Sequence, residues 1–111
     1  MNYSSEEHKS VAIIRLNGEM RLGTVGEFET MYNSMIVKKL PAIALDCSCL
    51  QFIDSSAIGT LVKFLHLANS KKIKLVLFDM NDTIQSIFRA VKLDSFFTIM
   101  TKVKFEKEYN L

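Results

Sequence analysis

The chain has 111 residues, 49% apolar and 23% charged, with a formal net charge of +2. That length suits one domain, residues 1–111, able to bury a core without metals or disulfides, and the apolar share excludes a disordered chain. The small net charge speaks against direct nucleic-acid binding, and no apolar run is long enough for membrane insertion.

In chain order, Met1 to Ser10 is polar, carries Glu6 and Glu7, and lacks the apolar stretch of a secretory signal, so a cytoplasmic location is expected. Tyr3 to His8 and Val11 to Leu16 read as antiparallel strands joined near Lys9 and Ser10, and Gly18 ends the second. Thr24, Val25, Gly26 and Glu27 have the spacing of a capping box, followed by Phe28, Met31, Tyr32 and Met35 on one helical face. Lys38, Lys39 and Pro41 stop that helix, and Pro41 forces extended chain into a strand from Ala42 to Leu45. The strand ends at Asp46, and a polar loop carries the chain through Ser48 to Asp54. The period then changes: Ile58, Leu61, Val62 and Leu65 form the i, i+3, i+4, i+7 stripe of an amphipathic helix. Ser55 and Ser56 stand at its N-terminus, where a serine hydroxyl is a good cap.

Asn69 to Lys72 then make a polar turn, and Ile73 to Phe78 a short strand. Lys71, Lys72 and Lys74 cluster there as a solvated turn. Asn81, Asp82 and Thr83 are all acceptable caps for a third helix with Ile84, Ile87, Phe88 and Val91 on its face. Phe97 to Met100 is a last strand, and Lys102 to Leu111 has room for one or two helical turns. Two strands followed by helix alternating with strand imply an α/β fold with a mixed sheet of about four to five strands.

The catalytic inventory is thin. His8 and His66 have no second ligand or nucleophile at a recognisable spacing and read as surface residues. Cys47 and Cys49 are too close in sequence for disulfide geometry and too few for a structural zinc site, so both are expected as buried, reduced thiols on one face of extended chain. Asp46 and Asp54 invite comparison with a paired-carboxylate site, but capping or pinning the loop before Ser55 is the more economical role. A phosphoacceptor receiver domain would use Asp46 at a strand end, yet it also needs an acidic pair after the first strand, where Glu19 stands alone.

The spaced set Asp46, Ser48, Phe52, Ile53, Asp54, Ser55, Ser56, Ile58 and Gly59 resembles the anti-sigma factor antagonist (STAS) family. In that family a strand ends in Asp-x-Ser, and Phe-Ile-Asp-Ser-Ser/Thr-Gly-Leu-Gly then opens a helix whose first serine is phosphorylated by a partner kinase. Arg15, Leu16, Asn17, Gly18, Glu19 and Met20 are similar to the family's early Leu-x-Gly-Glu. The chain departs from the pattern at Ala57, where the family has glycine. The added Cβ is expected beside Ser55, on the path of a docking kinase.

The resemblance implies a single STAS-like domain with helices mainly on one face of the sheet. It implies Ser55 as the phosphorylation site, with Asp46, Ser48, Asp54, Ser56 and Gly59 supporting its loop, and no cofactor, metal or catalytic residue in this chain. It also implies a monomer that binds an anti-sigma factor/serine kinase when unphosphorylated, releases a sigma factor, and is reset by a serine phosphatase. The alternative is a STAS module that serves a transport or membrane-lipid system without phosphorylation.

Overall fold

Val11 to Ile14 are apolar without alternation, the pattern of a strand covered on both faces. In the computed structural model, which describes residues 2–111, all four are buried inside a five-stranded sheet. Met1, part of the stretch read for a signal, lies outside the described residues. The elements run β1 (Asn2–Glu7), β2 (Val11–Met20), α1 (Val25–Ile36), β3 (Ala42–Ile53), α2 (Ser55–Ser70), β4 (Lys74–Phe78), α3 (Asp82–Ala90), β5 (Thr98–Met100) and α4 (Lys102–Tyr109). Among the described residues no helix is long and apolar enough to cross a membrane.

The strands lie in sequence order, β1 antiparallel to β2 and the other pairs parallel. Successive crossovers that step the same way across a sheet with the same hand place their helices on one side. Accordingly α1, α2 and α3 share one core with that face of the sheet, through Phe28, Tyr32, Leu61, Phe64, Ile84 and Phe88. The opposite face has a smaller core of Val11, Ile13, Ala42, Ala44, Val76, Phe78 and Met100, closed by Phe105 of α4. Phe105 stacks on Phe78 at 4.2 Å between ring centroids. The charged tail is docked as a helix through this ring, with Tyr109 packed beside it and Thr101 capping its start.

Tyr32 and Phe64 join α1 to α2: their rings are 4.3 Å apart, and the Tyr32 hydroxyl donates to the Phe64 carbonyl at 3.0 Å. Burial raises the pKa of that hydroxyl above its ordinary value, so it stays a donor. Thr24 does not form the expected capping box. Its hydroxyl accepts from Arg21 N at 3.0 Å and donates to the Glu19 carbonyl at 2.9 Å, closing the turn before α1 instead of capping it. On α3 the cap is Asn81, which accepts from Ile84 N at 2.8 Å. The helix ends at Ala90, so Val91 turns out to solvent instead of extending the buried face.

The largest correction concerns β2 and β3, both of which run past their expected ends. Gly18 does not end β2. It sits inside the strand at a pairing irregularity, with φ at 109°, in the left-handed region that favours glycine. Between Arg15/Asp46 and Asn17/Cys49, β3 has one residue more than β2, and a second extra residue falls between Gly18/Leu50 and Glu19/Phe52. These bulges re-phase the strand: Ile43, Leu45 and Cys47 face the large core, and so do Leu50 and Ile53. The polar stretch from Ser48 is thus strand, not loop. Its odd hydrophobic spacing concealed it, since a period-2 reading fails across a bulge.

Cys49 is exposed for the same reason, while Cys47 is buried. The expectation of two buried thiols on one face fails at the bulge between them. Desolvation raises the Cys47 thiol pKa, with Asp46 and then Asp79 adding to it, so Cys47 remains a neutral thiol.

Candidate functional site at the start of α2

Asp54, between β3 and α2, organises this end of the molecule. Its backbone is extended and its Oδ1 accepts from Ala57 N at 2.8 Å, satisfying an N–H group that the first helical turn leaves without a partner. The cap of α2 is therefore Asp54, not Ser55. The second carboxylate oxygen accepts from Leu22 N at 3.1 Å, and Asp54 N donates to the Met20 carbonyl at 3.2 Å. One residue thus caps α2 and pins the turn that follows β2, an arrangement that joins segments 32 residues apart.

With capping assigned to Asp54, Ser55 is exposed and, among the described residues, its hydroxyl makes no hydrogen bond. Ser56 is half-buried, and its carbonyl accepts from the Thr60 hydroxyl at 3.1 Å. Gly59, one turn after Ser55 on the same face, is exposed, and a Cβ built there meets nothing within 4 Å. Leu22, delivered by the pinned turn, is 75% exposed. An accessible serine therefore stands at the same end of the molecule as an exposed leucine, one turn before a glycine that presents no side chain.

Because Gly59 faces open space, its only local consequence for the fold is backbone freedom. Gly59→Ala should stabilise the domain by up to about 1 kcal/mol, seen as a higher melting temperature. A lower one would mean that the helix packs more closely here than described.

Ala57 lies elsewhere than expected. It is fully buried in the large core with Leu61, Phe64, Leu65 and Ala68. Its methyl points away from the surface that Ser55 presents, so it fills core space and does not obstruct an approaching partner. The helical phase explains this: the buried face of α2 runs through 57, 61, 64, 65 and 68, while Ile58 and Val62 are only half-buried. The expected stripe was thus shifted by about one position, and the inward Ala57 was legible from its spacing to Leu61, Phe64 and Ala68.

Asp46 and Ser48 are not brought to Ser55. Asp46 Oδ1 accepts from Ser48 N at 3.0 Å, bracing the first bulge, and its Oδ2 lies 3.6 Å from Arg15 Nε. Arg15 also donates to Glu6 at 2.5 Å. From Asp46 the strand continues to Ile53, which at about 3.3 Å per residue puts the two aspartates on the order of 20 Å apart. They do not form a paired-carboxylate site, and Asp46 does not sit at a strand end as a receiver aspartate would. Leu22 and Arg21 were absent from the sequence reading, because no local pattern links the turn after β2 to the start of α2.

Solved structures share this arrangement of elements at low sequence identity. A candidate anti-sigma factor antagonist of Thermotoga maritima aligns with a TM-score of 0.87 at 21% identity, covering 98% of this chain and 95% of that one. An anti-sigma factor antagonist of Mycobacterium paratuberculosis aligns at 0.86 and 16%, covering 99% and 94%. The Bacillus cell fate determinant SpoIIAA in its phosphorylated form aligns at 0.74 and 18%, covering 96% and 98%. Identities this low establish a common fold and nothing finer. The family match is direct, extending over residues 2–106: the chain belongs to the STAS domain family.

Proposed function

We propose that this chain is an anti-sigma factor antagonist switched by phosphorylation of Ser55. Unphosphorylated, it binds a partner that is both anti-sigma factor and serine kinase, and so frees a sigma factor. The kinase supplies ATP and magnesium; the bond between the γ-phosphorus and the β–γ bridging oxygen breaks, the phosphoryl group passes to Ser55 Oγ, a base on the kinase takes the hydroxyl proton, and ADP leaves. The chain contributes an acceptor hydroxyl and a docking surface, and no catalytic group or cofactor of its own. A serine phosphatase hydrolyses the phosphoserine and resets the switch. The domain works in the cytoplasm as a monomer when free.

The observation that carries this reading is the division of labour between Asp54 and Ser55. Asp54 holds the helix cap and the β2 turn, so the adjacent hydroxyl is exposed and can be modified without removing a structural bond. The neighbouring N–H groups and the positive end of α2 favour a phosphate. The Asp54 carboxylate repels it and already occupies Ala57 N. These effects oppose one another within the domain, leaving the fold near neutral while the outward surface gains negative charge. The family membership and the shared fold of solved anti-sigma factor antagonists, one of them in phosphorylated form, point the same way.

The direct test is mass spectrometry of the protein isolated from its own host. A fraction should carry one phosphate on the peptide containing Ser55, and that fraction should change with growth condition. Its absence under every condition would reject the switch in favour of an unmodified STAS module in a transport or membrane-lipid system.

A further inference from the structure

A phosphate on Ser55 would stand next to the Asp54 carboxylate, whose two oxygens are both engaged, by Ala57 N and Leu22 N. Asp54 cannot turn away without releasing the cap and the β2 turn together. A cation within reach would pair with the added charge, and the fold restricts the choice. Along α2 the next cation is Lys63, two turns beyond Ser55 or roughly 12 Å, and its Nζ lies 3.6 Å from Glu29. Arg21 is differently placed. The residues on either side of it, Met20 and Leu22, both hydrogen-bond to Asp54. Since consecutive Cα atoms are about 3.8 Å apart, Arg21 and Ser55 have Cα atoms within about 10 Å of each other. The Arg21 side chain is 57% exposed, and among the described residues its one ion-pair neighbour is Glu19, with Nε 3.6 Å from the carboxylate. An exposed pair at that distance is weak and is readily exchanged for a phosphate, which carries more charge and accepts the guanidinium fork bidentately.

We propose that Arg21 is the intramolecular counter-charge for phosphorylated Ser55, exchanging Glu19 for the phosphate and so latching the β2 turn to the start of α2. This deepens the proposed function and rests on it. The latch gives phosphorylation a second effect on the surface: besides adding negative charge, it withdraws an exposed cation that the unphosphorylated domain presents beside Leu22.

The test uses the full chain with phosphoserine installed at position 55 during translation, so that no kinase is needed, and follows the phosphorus NMR shift against pH. With Arg21 present the phosphate should titrate about half a unit or more lower than in Arg21→Gln. Arg21→Lys should recover part of that drop, because lysine keeps the charge but loses the fork. Equal titrations in the parent and Arg21→Gln proteins would overturn the latch. The two proposals fail separately: protein from the host without phosphate on Ser55 sinks the switch, whereas equal titrations of the installed phosphoserine sink the pairing with Arg21 alone.

Discussion

Ser55→Asp should lose roughly a thousandfold in affinity for the cognate kinase, while Ser55→Ala binds as the parent does and is never phosphorylated. Both should stay folded. The cap of α2 is the Asp54 carboxylate on Ala57 N, so truncating Ser55 leaves it intact, and an exposed change of this kind stays within about 0.5 kcal/mol. An aspartate there is favoured by the helix dipole and opposed by Asp54, which again leaves the fold near neutral. Binding should follow charge instead. A carboxylate brought within about 4 Å of a like charge in a partly desolvated interface costs about 4 kcal/mol at an effective dielectric of 20, which is the thousandfold loss. Salt should reduce the gap between the two variants, because screening acts on this term alone. Titrations of both variants against the kinase, beside thermal melts of the free proteins, decide the matter. Equal affinities, or a loss that tracks unfolding, would favour the unphosphorylated-module reading.

Leu61→Ala should destabilise the domain by about 2 to 5 kcal/mol. Leu61 is 1% exposed, in the core shared by α1, α2 and the sheet. Truncation there loses transfer energy and leaves a cavity that β3, held by neighbours on both sides, cannot collapse into. Leu65→Ala belongs in the same range at its lower end, since Leu65 is 9% exposed. Lys63→Ala should be nearly silent: its side chain is 66% exposed, and its contacts are an exposed ion pair with Glu29 and a 5.3 Å approach to the Phe64 ring. Denaturant midpoints should rank Leu61→Ala lowest and Lys63→Ala near the parent. The reverse order would mean that the helix is rotated, and the outward direction of Ser55 would fall with it.

Local pattern was enough for much of this. Element order, the three sheet-covering helices, the break at Pro41 and the start of α2 all follow from periodicity and turn chemistry within about a dozen residues, the range over which a helical stripe or a strand declares itself. The motif from Asp46 to Gly59 pointed to the family and to Ser55. What local pattern missed depends on contacts between segments far apart in the chain. The bulges of β3 exist because β2 lies beside it with fewer residues over the same span, and a period-2 reading of β3 alone cannot supply a partner's register. The sequence already suggested that Asp54 caps or pins the loop before Ser55, and the structure shows the cap; its tie to the turn after β2 appears only once Leu22 and Met20 are folded against it. Ala57 reads as a surface departure on the stripe from Ile58 to Leu65, although its spacing to Leu61, Phe64 and Ala68 already places it on the face that packs against Tyr32 and the sheet. The bonds of Met20 and Leu22 to Asp54 bring the Arg21 backbone close to that of Ser55. Residues this far apart in sequence become neighbours only when the sheet orders its strands, so their proximity is a property of the fold and not of any stretch of chain.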